Sequence, residues 1–165
     1  MSRNVLTQTL EKIQFLHDMP PEYVERIADI AHVLDFDEYD VVFREGAPAE
    51  NMYLILNGSV SLEVCAAGAG CKQILTLGPG ELLGWSSLLG QSRYTAKART
   101  PQAACLVQIN VAQLLKLCDQ DPRFGYDLMR RTALALAKRL SATRIQLVNV
   151  YGDAMPASSQ DVEAN

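Results

Sequence analysis

The chain has 165 residues, 48% of them hydrophobic and 21% charged, with a formal net charge of −4. That length and mix suit one domain with a buried core, and the acidic balance argues against a general nucleic-acid-binding surface. No apolar run approaches the roughly 20 residues of a membrane span, and the start of the chain lacks an apolar signal core, so a cytoplasmic protein with no membrane contact is expected.

Val5–Leu16 carries Val5, Leu6, Leu10, Ile13 and Leu16 close to helical spacing, with Asn4 as a candidate N-cap. Asp18-Met19-Pro20-Pro21 breaks that helix. Pro21 suits the first turn of a second one, Glu22–Ala31, whose apolar face is Tyr23, Val24, Ile27, Ile30 and Ala31. His17 and His32, the only 2 histidines, fall on or beside these helices and read as surface or packing residues.

From Val33 the period changes. Val33–Phe36, Val41–Arg44, Met52–Asn57, Ser59–Val64, Gln73–Leu77, Thr95–Arg99 and Ala104–Ile109 are short runs rich in β-branched or aromatic residues, separated by turn signals. Asn57-Gly58 between alternating apolar residues predicts a type I′ hairpin. The 4 cysteines, Cys65, Cys71, Cys105 and Cys118, form no CxxC pair and have no histidine at metal spacing, so no metal site is expected. They read as free, buried or half-buried thiols, with a redox pair between Cys65 and Cys71 across a hairpin as the alternative.

The stretch Leu77–Ala96, LGPGELLGWSSLLGQSRYTA, interrupts the strands. Gly84 opens a short helical segment, Trp85–Leu89, with Ser86 and Ser87 in its first turn, and Gly90 closes it. Glycine at a helix start leaves backbone N–H groups free to face an anion. Arg93 stands where a guanidinium can close such a cradle from the other side. The pattern is a candidate phosphate site; on spacing alone the first reading is a strand connection whose glycines only serve turns.

After Asn110 the period is helical again. Val111–Cys118 is a short helix. Asp121 as N-cap and Pro122 in the first turn then start a long one, to about Val150 and about 43 Å in length. Met129, Ala133, Leu136, Leu140, Thr143, Leu147 and Val150 alternate by four and three, a coiled-coil seam that predicts a homodimer, or a stripe packed on the strands. Arg130, Arg131, Lys138, Arg139 and Arg144 flank it and suit seam edges. Thr143 inside the seam either bonds its own backbone or points its hydroxyl at something bound between helix and strands. The domain is expected to span residues 1–152, with the polar stretch Asp153–Asn165 a disordered tail.

The helical lead-in, the run FREGAPAENMYLILNGSVSLEV, the glycine segment and the long helix together resemble a cyclic nucleotide-binding domain of the catabolite activator and Fnr group of bacterial regulators. Glu45-Gly46, Met52-Tyr53-Leu54-Ile55 and Gly58 match that family's turn, strand and hairpin positions. The resemblance covers about Leu10 to Val150. It implies an α+β fold: an antiparallel, jelly-roll-like β-roll with N-terminal helices and a long C-terminal dimerisation helix. It also implies that Gly84, Trp85, Ser86, Ser87, Arg93, Tyr94 and Thr95 form the ligand cassette, with Arg93 on the phosphate and Thr143 near the base.

The sequence departs from the pattern at Trp85, where ligand-binding members carry a ribose-binding glutamate, and at Tyr94 and Thr95, where small residues are usual. Glu81 aligns with an acidic loop residue and not with the ribose ligand. The resemblance thus implies a non-enzymatic stand-alone sensor for a cyclic nucleotide or related phosphate compound, with no resident cofactor. The alternative is a partner-binding scaffold whose degenerate pocket is plugged by Trp85. A metal-dependent enzyme on a similar roll would need histidines among the strands, and a haem sensor would need axial ligands from Cys65, Cys71 or a histidine, which no spacing supports. Regulators of this family carry a helix-turn-helix after the long helix. Nothing basic and helical follows Val150, so no direct DNA binding is expected.

Overall fold

The computed structural model describes residues 2–66, 68 and 70–151, and within them the chain is an antiparallel β-roll with helices at both ends. Helices α1 (Arg3–Glu11) and α2 (Pro21–Asp29) flank a 3-10 turn, Gln14–Leu16. Strands β1 (Ala31–Phe36), β2 (Val41–Phe43), β3 (Asn51–Asn57), β4 (Val60–Ala66) and β5 (Gly70–Leu77) follow. After the short β6 (Leu82–Leu83) come a 3-10 helix, Trp85–Leu89, then β7 (Lys97–Arg99), β8 (Ala104–Asn110), α3 (Val111–Gln120) and α4 (Pro122–Tyr151). The strands form two sheets ordered β1-β8-β3-β6 and β2-β7-β4-β5.

The run Met52-Tyr53-Leu54-Ile55 explains this layering. Four consecutive apolar residues suit a strand covered on both faces. Tyr53 and Ile55 enter the roll interior with Leu83 and Leu106, while Met52 and Leu54 turn outward with Leu82, Val107 and Ile109. The outward set packs under α1, α2, α3 and α4 through Leu10, Ile27, Leu114 and Phe124, all at most 1% exposed. The first sheet is therefore a wall shared by two cores.

Several expectations need correction. Asn57-Gly58 is not a type I′ hairpin: β3 and β4 lie in different sheets, and of these two residues only Gly58 has a positive φ, +79°. A Cβ at Gly58 would stand 2.5 Å from the Ala103 carbonyl oxygen. The glycine is needed so that the chain can turn a corner against β8, and the Asn57 side chain accepts the Gly58 N–H at 2.8 Å. The first helix runs from Arg3 with Ser2 as N-cap, and ends at Glu11, with Gln14–Leu16 as a separate 3-10 turn. His32 lies on β1, exposed, not on a helix.

Cys65 and Cys71 are not free thiols. They pair in register across β4 and β5 and form a disulfide. Cys105 and Cys118 are free and half-buried. Burial, with Asp35 beside it, pushes the Cys105 thiol up to about 11, so it stays protonated at neutral pH and unreactive.

Asp121 does cap α4: its Oδ1 accepts the Arg123 and Phe124 N–H groups at 3.1 and 3.2 Å. Along α4, Met129 and Leu136 are half-buried, and Ala133, Leu140 and Thr143 are exposed. The Leu147 and Val150 side chains and the stretch 153–165 lie outside the described residues. Arg131 and Arg139 are not seam-edge residues, because both turn inward. Arg131 holds Asp127 at 2.9 Å and the carbonyls of Phe15 and His17. No described helix is long and apolar enough to cross a membrane.

Candidate ligand cassette

After β5 the chain makes a tight turn in which the Gly78 N–H donates to Glu81 Oε2 at 2.7 Å. The Glu81 carboxylate thus closes the turn. β6 pairs briefly with β3, Leu82 against Leu54 and Leu83 against Tyr53, and the chain then leaves the sheet at Gly84. Its φ is +72°, and a Cβ there would stand 2.9 Å from the Asn51 carbonyl oxygen and 3.4 Å from the Tyr94 ring. Both the left-handed backbone and the lack of space demand glycine.

That residue starts the 3-10 helix, which Gly90 ends at φ +82°. The first N–H groups of a helix have no acceptor within it. Ser86 is buried, and the Ser87 Oγ is buried without a hydrogen-bond partner. The Gln91 N–H donates to the Ser86 carbonyl at 2.9 Å and turns the chain back.

Residues 92–94 are then knit onto the turn at Gly46–Ala49. The Ala49 N–H donates to Ser92 O at 3.0 Å, the Tyr94 N–H to Ala47 O at 3.0 Å, and the Gly46 N–H to Tyr94 O at 2.8 Å. Arg93 is exposed, and its Nη1 donates to the Gly46 carbonyl at 2.6 Å. Thr95 is exposed.

Tyr94 has a different role from its neighbours. Its ring is 5% exposed and stacks on Phe43 with centroids 3.9 Å apart. Phe43 stacks in turn on Tyr53 at 5.9 Å. The Tyr94 hydroxyl donates to Asn51 O at 2.7 Å and accepts the Asn51 N–H at 3.3 Å. Burial raises its pKa, so it remains a neutral phenol.

Trp85 is half-buried and packs against the cluster under the helices, not among the rings of the roll. Thr143 is exposed, and its hydroxyl donates to its own helix, at Arg139 O, 3.0 Å away. The structure therefore brings Gly84, Ser86, Ser87, Arg93 and Tyr94 into one connected unit and leaves the Thr143 hydroxyl on its own helix. What sequence reasoning missed is the aromatic stack, because Phe43, Tyr53 and Tyr94 are far apart in the chain. It also missed Arg139, whose Nη2 donates to Leu82 O just ahead of Gly84. Among the described residues, no group of three or more His, Cys, Asp or Glu side chains could hold a metal ion.

The Cyclic nucleotide-binding domain family matches residues 33–121, from β1 to the start of α4, cassette included. The chain belongs to that family. It is 22% identical over 92% of its length to a CRP-like cAMP-activated global transcriptional regulator of Mycobacterium tuberculosis, and spans 66% of that protein. It is 27% identical over 79% of its length to the Cyclic AMP receptor protein of Thermus thermophilus, and spans 59% of it. Among solved structures, a cyclic nucleotide-binding protein of Geobacter metallireducens superposes with a TM-score of 0.72 at 28% identity, covering 85% of this chain and 98% of that one.

Proposed function

We propose that this domain is a non-enzymatic sensor. It binds a cyclic nucleotide or a related phosphate compound in the cassette from Gly84 to Arg93, and it signals as a dimer through α4. The observation that carries the proposal is the cassette itself: a left-handed glycine opening a short helix, an orphaned Ser87 hydroxyl inside it, and an arginine held at its edge. In this reading the helix-start N–H groups and Ser87 donate to the phosphate oxygens, and Arg93 supplies the countercharge. The names of the relatives, cAMP-activated and Cyclic AMP receptor, support the ligand class.

Trp85 sets the expected strength. An indole has one N–H donor and no acceptor for a ribose hydroxyl. Loss of that charge-assisted bond costs about 1.5–3 kcal/mol, or about ten- to a hundredfold in affinity. Titration calorimetry with cAMP and cGMP tests the proposal. Saturable heat that Arg93→Ala abolishes is the expected result. No heat with either nucleotide at about 100 μM protein, an affinity floor near 5.5 kcal/mol, would retire the nucleotide version.

One observation favours a second reading, a partner-binding domain with a filled pocket. Tyr94 packs the roll interior, and Arg93 already bonds the Gly46 carbonyl. Under that reading the filler is Tyr94 and not Trp85, and Arg93→Ala leaves the response to both nucleotides unchanged. The dimer has its own test. Leu140→Glu on the exposed stripe should convert a dimer to a monomer in sedimentation.

A further inference from the structure

A cavity of about 390 Å³ lies outside the cassette, between α4, the 3-10 turn Gln14–Leu16 and the β5–β6 connection. Its lining includes none of the cassette residues. The floor is apolar, with Leu75, Leu77, Leu82 and Leu134. The charges around it are unequal: Arg130, Arg131, Lys138 and Arg139 against Asp18 and Glu81, with His17 beside them.

The partners of those groups matter. Glu81 accepts the Gly78 N–H at 2.7 Å, Asp18 is 2.9 Å from His17 Nδ1, and Arg131 is held by Asp127 at 2.9 Å. Arg130 and Lys138 are exposed, and neither has a hydrogen bond or ion pair among the described residues. Arg139 is the anomaly. Its guanidinium is drawn under α4 to reach the Leu82 carbonyl, a neutral acceptor, and its Nε is buried with no partner among the described residues. A buried cation without a bonded counter-ion is costly.

We propose that this cavity is a second ligand site, which takes a small organic anion with an apolar body, such as a medium-chain carboxylate. The anionic head lies between Arg139 and Lys138 and gives the buried guanidinium the countercharge it lacks. The apolar body covers Leu75, Leu77 and Leu134. Burial lowers the pKa of Arg139, with Glu81 opposing that shift, which fits a site short of negative charge. A ligand here touches both α4 and the turn that leads into Gly84, so it fixes the helix against the roll. This goes beyond the cassette reading and stands without it.

The test titrates the full chain with octanoate, octanol and acetate, following backbone amide shifts by NMR, with cAMP titrated in parallel. Octanoate should bind saturably with shifts at Gly80 and Ala142, and octanol and acetate should each bind at least about tenfold more weakly. Arg139→Gln should weaken octanoate by about tenfold. Because that variant disturbs a buried residue, the exposed Lys138→Glu, and Ala142→Phe at the cavity wall, must weaken it as well. Arg93→Gln should leave octanoate unchanged whether or not cAMP binds.

Equal binding of octanol overturns the proposal, as does loss of octanoate binding in Arg93→Gln, which would move the ligand to the cassette. Octanoate binding indifferent to both Lys138→Glu and Ala142→Phe overturns it too. So does binding that vanishes as the protein self-associates, which would put a second copy of the chain in the cavity.

Discussion

The two faces of the β1-β8-β3-β6 sheet are built from alternating residues of the same strands, yet they are filled differently. Inside the roll, flat rings stack in sequence, Tyr94 on Phe43 on Tyr53, and the outer hydroxyl is tied to the backbone of Asn51. On the helical side most of the filling is aliphatic, its rings Tyr23 and Phe124 meet edge to face and not in a stack, and α4 is joined to its surroundings partly by long cations, Arg131 and Arg139. Rings with few torsions fill a space and stay in it. Arginines that reach across a gap to a carbonyl leave room beside them, here about 390 Å³. The same contrast separates the arginines of the two proposed ligand sites. Arg93 is exposed and bonded, whereas Arg139 is drawn inward and incompletely bonded.

The comparison breaks most severely at the ring. Tyr94→Ala removes a buried aromatic and should cost about 3–5 kcal/mol, read from urea unfolding. If that ring is what excludes a ligand, nucleotide affinity rises as stability falls; if affinity instead stays absent, the roll was not closed by Tyr94 alone.

Gly84→Ala strains a left-handed position and forces a Cβ to 2.9 Å from the Asn51 oxygen. A loss of about 1–3 kcal/mol is expected, with a changed emission from Trp85, the only tryptophan. Tyr94→Phe keeps the stack and deletes only the bonds to Asn51, so unfolding should shift by about 1 kcal/mol. A shift as large as that of the alanine variant would mean that the hydroxyl, and not the ring, holds the roll.

The smallest effect belongs to the helical side and depends on pH. The Phe124 N–H, then Arg26 at 3.0 Å, hold the Asp121 carboxyl below its ordinary value of 3.8. A carboxyl so lowered stabilises the fold above that ordinary value and loses its contribution as pH falls through the lower, folded one. Asp121→Asn retains a capping oxygen and loses the ion pair. Its melting temperature should lie below that of the parent at neutral pH, and the gap should close on acidification.

Elements governed by local chemistry were legible in the sequence. Asp121 and Pro122 announced α4, Pro21 announced α2, and the apolar run at Met52–Ile55 announced a strand. Gly84 was legible as the glycine that opens a short helix, because that is a local signal. Features set by distant parts of the chain were not. Asn57-Gly58 carries the dipeptide of a tight hairpin, but the neighbour that requires Gly58 is the backbone of Ala103 and Ala104, far along the chain. Cys65 and Cys71 are close in the chain and their pairing was open as an alternative; the β4–β5 register decides it. Tyr94 reads as a polar cassette residue until Phe43 is brought against it. Arg131 and Arg139 have the spacing of seam-edge charges, and only the packed position of α4 shows that they face inward.

The corner at Gly58 has one more consequence, which concerns time. Because β3 cannot pair with the strand that follows it, it has only the two residues of β6 until β8 arrives, and β1 waits for β8 as well, with Ala31 opposite Ile109 and Phe36 opposite Ala104. On the ribosome the first half of the chain therefore emerges with the apolar run Met52–Ile55 unpaired, and the wall shared by both cores assembles only when β8 arrives. Such long-range pairing is intrinsically slow, in the millisecond-to-second range typical of strand-rich folds. During that interval Met52–Ile55 is the segment most exposed to wrong partners.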